Sequence, residues 1–166
     1  MNTALHFDFV VDETTNSIRV EREFDAPRDV VWKAWTTAEL LDQWWAPRPY
    51  KTVTKSMDFR SGGMWLYYML SPEGQQHWCK LEYHVVDPQE TFSGLDAFCD
   101  EDGVINMDFP RASWKNTFID QGERTLVTIV ASYDSLDDLQ TIISMGMREG
   151  FTMALSNLDE LVASMK

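Results

Sequence analysis

The residues able to do chemistry in this chain are few and scattered. There are three histidines, His6, His77 and His84, and two cysteines, Cys79 and Cys99, among 166 residues. His77 and His84 fall on one alternating stretch at opposite parity, so they point to opposite sides of a strand. His77 and Cys79 share parity, but two ligands do not make a zinc site, and no metal or other cofactor is expected. No G-x-S-x-G elbow or P-loop is present, and Gly62-Gly63 opens a strand rather than a helix, which excludes a dinucleotide fingerprint. The acids Asp96, Asp100, Glu101 and Asp102 read as a solvated loop, and spacing alone selects no acid–base pair among 27 carboxylates. Arg148 and Glu149 read as a solvent-facing pair.

A more informative pattern lies near the C-terminus. Leu139, Ile143, Gly146, Gly150, Ala154, Leu158, Leu161 and Met165 recur at threes and fours, the stripe of an amphipathic helix. Glycine weakens a helix interior by about 1 kcal/mol, so two glycines on the core face need a reason. One is close backbone packing against a sheet; the other is room for a guest. Bulky side chains flank them, and nine methionines in the chain supply adaptable filling for irregular space.

The elements that must position these residues follow from periodicity. Leu5–Val11 and Ser17–Phe24 form a hairpin, with Ile18 and Val20 alternating with Arg19 and Glu21. Asp25 is the expected cap of a short helix running from Pro27 to Thr36, and a second spans about Thr37–Trp45 before Pro47 and Pro49 stop it. Strands follow at Thr52–Phe59, Met64–Leu70, Gln76–Val86, Thr91–Phe98, Ser113–Ile119 and Thr125–Tyr133. Within Gln76–Val86, Cys79, Leu81, Tyr83 and Val85 share one face while Lys80, Glu82 and His84 share the other. Ser135 caps a last helix reaching about Ser164, roughly 40 Å if continuous, with a kink or break expected between Ser144 and Gly146. Several antiparallel strands at short intervals imply one large curved sheet.

Composition narrows the function. Aromatics make up 13% of the chain, which excludes disorder. The net charge of −13 argues against general binding to nucleic-acid phosphates or anionic membranes. No apolar run suits a membrane span, and the first residues lack the basic and apolar regions of a secretory signal. With two cysteines and no need of a bridge, a reduced cytoplasmic protein of one domain over residues 1–166 is expected.

Three segments together resemble a known family. Arg22-Glu23-Phe24-Asp25-Ala26-Pro27 leads to Val31-Trp32-Lys33-Ala34-Trp35-Thr36 and then Leu41-Asp42-Gln43-Trp44-Trp45-Ala46-Pro47. Phe59-Arg60-Ser61-Gly62-Gly63 forms an Arg-x-Gly-Gly turn, and Gly146-Met147-Arg148-Glu149-Gly150-Phe151 a Gly-Met-x-x-Gly-aromatic element. From about Ser17 to Ala163 the chain resembles the START-like (SRPBCC) superfamily. Within it, the resemblance is to bacterial proteins similar to the activator of the ninety-kilodalton heat-shock protein ATPase. The resemblance implies an α+β helix-grip fold: a curved antiparallel sheet around a long C-terminal helix, with two short helices after the first strand or hairpin. It also implies a deep apolar cavity between sheet and helix. The signature's tryptophans and glycines look architectural, and no catalytic residue is carried over.

The expected occupant is a small hydrophobic or aromatic ligand. The expected lining comes from Trp35, Leu41 and Trp45 in the short helices. The sheet contributes Trp65, Tyr67, Tyr83, Phe92 and Trp114, and the long helix Met147, Phe151 and Leu155. Parity leaves open which of Trp65 and Tyr68 faces inward. One alternative is a polyketide cyclase-like enzyme using groups among Tyr67, Tyr68, Tyr83, His77 and Arg148. Another is a stress-related interaction protein docking on a chaperone through its acidic surface. An apolar outer face on Met64–Leu70 would suit a homodimer.

Overall fold

The computed structural model describes residues 4–165. A hairpin of β1 (Phe7–Asp12) and β2 (Ser17–Phe24) leads into two short helices, α1 (Arg28–Thr36) and α2 (Ala38–Trp44). A six-stranded meander follows: β3 (Lys51–Met57), β4 (Met64–Leu70), β5 (Gln76–Asp87), β6 (Thr91–Phe98), β7 (Ser113–Gln121) and β8 (Arg124–Ser132). Two helices end the chain, α3 (Leu136–Ser144) and α4 (Met147–Met165). All strand pairs are antiparallel, in the order β1-β2-β8-β7-β6-β5-β4-β3. The meander thus returns its last strand to β2, and the sheet curves around α4. This is the α+β helix-grip architecture implied by the sequence resemblance.

Irregular pairing contributes to the curvature. Register shifts occur in β3 between Thr54 and Ser56 and in β5 between Tyr83 and Val85, and such bulges bend and twist a strand. The second shift corrects the parity expected for β5. Tyr83 points into the core at 2% exposure, whereas Val85 is 56% exposed, because the extra residue turns it outward and Val86 takes the place opposite Phe92. On β6, Gly94 faces Tyr83 across the ladder, and a β-carbon there would stand 2.6 Å from the Glu82 carbonyl oxygen. Only glycine lets the two strands approach so closely.

The helix ends also differ in detail from the sequence reading. α1 begins at Arg28 with Pro27 in the N-cap position, and the Pro27 carbonyl accepts from Val30 and Val31 N–H at 3.1 Å each. Asp25 lies outside the helix, its carboxylate 3.9 Å from Arg124 Nε. Ser135 does cap α3, accepting from the Asp138 N–H at 3.1 Å. The C-terminal helical region is broken where a break was anticipated: Gly146 has φ +95°, a left-handed conformation that glycine adopts without the steric cost of a side chain. α4 alone is about 28 Å long. The break also re-phases the apolar stripe. α4 buries Phe151, Ala154, Leu155, Leu158 and Val162, while α3 buries Leu139 and Ile142.

Under α1 and most of α4 the core is filled. Ile18, Val20, Val127 and Ile129 rise from β2 and β8 and are all at most 1% exposed. Trp32 meets Phe118 edge-on at 5.0 Å between ring centres, and Trp35 meets Trp44 at 4.8 Å. Edge-to-face pairs of this kind match the positive ring edge to the negative face.

Candidate functional site

At the other end of the sheet the helices stand off the strands. The α3–α4 junction, α2 and the concave face of β4–β7 enclose a cavity of ≈ 280 Å³. β4 contributes Trp65 and Tyr67, stacked with ring centres 4.0 Å apart, and β5 contributes Tyr83. Phe92 and Trp114 come from β6 and β7, while Trp35, Leu41 and Trp45 come from α1, α2 and the α2 C-cap. Met147 and Phe151 close the helical side. Each of these was among the expected lining residues.

Leu155 is the exception. It is fully buried but does not border the cavity, because it faces the filled core one helical turn beyond Phe151. The parity question on β4 resolves in favour of Trp65, at 2% exposure. Tyr68 takes the opposite face and packs on Trp78 at 4.7 Å. The groups considered for catalysis therefore separate. Tyr67 and Tyr83 border the cavity. Tyr68 does not, His77 is exposed on β5, and the Arg148 guanidinium lies over the Phe9 ring at 5.0 Å.

The sequence reading missed the polar part of the wall. Asp96 is not in a solvated loop. It lies on β6 at the parity of Phe92 and Phe98, and borders the cavity. The alternation Phe92, Gly94, Asp96, Phe98 carries that signal, masked by the acids that follow. Asp96 Oδ1 accepts from the Ala112 N–H at 2.6 Å, and Oδ2 from Trp114 Nε1 at 2.7 Å. Burial pushes its carboxyl pKa up, opposed by those two hydrogen bonds and by the Arg111 charge. Nearby, Trp45 Nε1 donates to Tyr67 Oη at 3.0 Å, which ties the α2 C-cap to β4. Burial raises the Tyr67 and Tyr133 hydroxyls above the ordinary phenol range and pushes the Cys79 thiol up to about 12. These groups are neutral at physiological pH. Asn116, 2% exposed on β7, also borders the cavity, and its Oδ1 has no hydrogen-bond partner among the described residues.

The helical wall explains one of the small residues. A β-carbon on Gly150 would meet nothing closer than Pro47 Cγ at 3.7 Å, so Gly150 is not required for close packing. It borders the cavity and leaves space there. Among the described residues, no group of three or more His, Cys, Asp or Glu side chains is placed to hold a metal ion. No helix among the described residues is long and apolar enough to cross a membrane.

Residues 25–163 match the family model described as Activator of Hsp90 ATPase homolog 1-like protein. The chain belongs to this family. Among solved structures, protein Ms6760 from Mycobacterium smegmatis is 31% identical, with 95% of this chain and 96% of that chain covered and a TM-score of 0.86. A protein from Arthrobacter aurescens is 25% identical over 95% of this chain and 91% of its own, with a TM-score of 0.90. CalU16 from Micromonospora echinospora shares the fold at 18% identity, with 96% of this chain and 87% of that chain covered and a TM-score of 0.63. No curated protein matches the chain.

Several residues that carry the family resemblance have structural roles. Trp44 Nε1 donates to the Ala34 carbonyl at 2.9 Å and fastens α2 to α1. Asn157 Nδ2, on α4, donates to the Ala46 carbonyl at 3.1 Å and holds the turn that contains Pro47. The Gly62-Gly63 turn exchanges two 2.9 Å hydrogen bonds with Tyr83, from Gly62 N–H to the Tyr83 carbonyl and from Tyr83 N–H to the Gly63 carbonyl. These contacts frame the cavity and leave its chemistry to other side chains.

Proposed function

We propose that the protein binds a small hydrophobic or aromatic molecule in the cavity between the sheet and the C-terminal helices. The observation that carries this reading is the cavity itself: ≈ 280 Å³, with ten aromatic residues in a largely apolar wall. An engineered apolar cavity of about 150 Å³ holds benzene, and ordinary ligand pockets begin near 300 Å³. The space therefore suits a molecule of one or two fused rings. A thermal-shift screen tests this, using fused-ring aromatics, flavonoids, aromatic polyketides, sterols and fatty acids. A ligand at a hundredfold its Kd stabilises by about 2.7 kcal/mol, or about 5–11 °C in Tm for a chain of this length. A shift of that size from the compact aromatics supports the reading. No shift from any class overturns it.

Asp96 favours a second reading, that of a cyclase-like enzyme acting on a polyketide-like substrate. A carboxyl raised by burial, in the same wall as Tyr67, is suited to proton transfer. Turnover abolished in Asp96→Asn with ligand binding retained would support this reading. Turnover unchanged in that variant would remove it.

A further inference from the structure

We infer that the preferred ligand of the cavity is a protonated amine on an aromatic body, its ammonium set against Asp96; this rests on the ligand-binding reading above. The first ground is the charge within the wall. Among the described residues, Asp96 is the one acidic residue bordering the cavity, and its two carboxylate oxygens are held in place by Ala112 N–H and Trp114 Nε1. Each oxygen keeps a further lone pair to offer.

The neighbouring positive charges make no hydrogen bond to the Asp96 carboxylate, although the Arg111 charge acts on it. Arg111 gives its Nε to the Asp96 main-chain carbonyl at 2.8 Å and its Nη2 to Glu82. Lys80, the only basic residue at the cavity among those described, sends its ammonium to Glu82 Oε2 at 3.5 Å. The other titratable groups interacting with Asp96 are Tyr67 on β4, Cys79 on β5 and Tyr133 after β8, all neutral at physiological pH. An anionic ligand would thus meet a carboxylate with no free cation beside it. A cationic ligand would meet its complement.

The second ground is the aromatic wall. Trp114, Trp45 and Phe151 are in mutual contact, with ring centres 5.7–6.3 Å apart, and Trp65 adjoins Trp45 at 5.6 Å. Aromatic faces attract cations, Trp most strongly. The third ground is independent of Asp96. The Asn116 amide is 98% buried and its Oδ1 lacks a partner. A buried acceptor left unmet is costly, and a ligand N–H or O–H would satisfy it. Trp35 Nε1, the other unpartnered polar atom in the wall, suits a hydroxyl substituent on the same ligand. The net charge of −13 steers cations toward the protein as a whole.

Calorimetry with three ligands of one shape tests the inference: 2-(2-naphthyl)ethylamine, 2-(2-naphthyl)ethanol and 2-naphthylacetate. At pH 7 the amine should bind about tenfold to a hundredfold more tightly than the alcohol, and the acetate most weakly. In Asp96→Asn the gap between amine and alcohol should close, with the alcohol measured in the same variant to register any change in the wall itself. If that variant does not fold, the native protein supplies the same reading through pH. The gap should narrow as acid protonates Asp96, with the alcohol unaffected. Alcohol binding at least as tight as amine binding, or a gap that persists in the variant or at acid pH, overturns the inference and leaves the cavity reading standing. If none of the three binds, the amine inference fails, and the thermal-shift panel decides the cavity reading separately.

Discussion

The concave face of the sheet has two halves built on opposite terms. Beneath β2 and β8 it is aliphatic and filled, with Ile18, Val20, Val127 and Ile129 closed over by α1 and α4. Beneath β4–β6 it is aromatic, hollow and partly polar, with Asp96 and Cys79 among the rings. Aliphatic side chains reach native packing density by interdigitating. Large planar rings fixed by hydrogen bonds cannot all do so. Trp45 is tied to Tyr67 and Trp114 to Asp96, and Trp65 Nε1 donates to Thr54 Oγ1 at 3.0 Å, which in turn donates to Asp42 Oδ1 at 2.6 Å. These bonds hold the rings against the wall and keep them from collapsing into the space. Rigidity in one half thus comes from packing, and in the other from polar anchors.

That contrast can be broken by substitution. The largest effect belongs to the aromatic joint between the two halves. Phe118→Ala removes a ring that touches Trp32, Trp35 and Phe92, and should cost about 3–5 kcal/mol in urea denaturation. Next comes a pair on one helix. Leu155→Ala, in the filled core, should cost about 2–5 kcal/mol. Met147→Ala, beside existing space, should cost about 1 kcal/mol or less. Equal losses for the two would mean that the halves do not differ in packing.

The third test uses pH. Burial raises the Asp96 pKa above its unfolded value, so the folded state binds the proton more tightly. The stability this group contributes is full below about pH 3.9 and is lost as pH rises through the folded pKa. Glu82 works in the opposite direction. Burial raises its pKa, but Arg111 and Lys80 outweigh that and the net shift is downward, so its contribution is lost as pH falls. Urea titrations from pH 4 to 7 should therefore show Asp96→Asn gaining on the parent protein as pH rises, and Glu82→Gln falling further behind. The smallest effect carries the sharpest sign. Gly150→Ala meets no obstruction and should stabilise by about 0.4–1 kcal/mol, while a comparable loss would show that the glycine serves close packing after all.

Most of the architecture was legible because it rests on local rules. Period-two alternation marked β2 and β5, turn residues bounded the other strands, Ser135 marked the start of α3, and Gly146 marked the break after it. The candidate lining was legible in its aromatic members, since large rings on inward parity have few places to go. Three things were not. Val85 lies beyond a bulge, and a one-residue slip inverts parity without any mark in composition. Asp96 was absorbed into an acidic run whose other members lie in the following loop. Leu155 lies on the same buried helix face as Phe151, and helical periodicity cannot say which stretch of that face meets filled core and which meets space.

By itself the sequence determined the order of the elements, the inward faces of the clearly alternating strands and the family, because these follow from residue type and short-range spacing. Tertiary structure alone decided how much space the cavity holds, which stretch of α4 borders it, and that a carboxylate and an unpartnered amide stand among its rings. Those outcomes depend on how far β4–β7 curve away from α4. That distance is set by bulges, by the close approach at Gly94 and by hydrogen bonds between residues far apart in the chain.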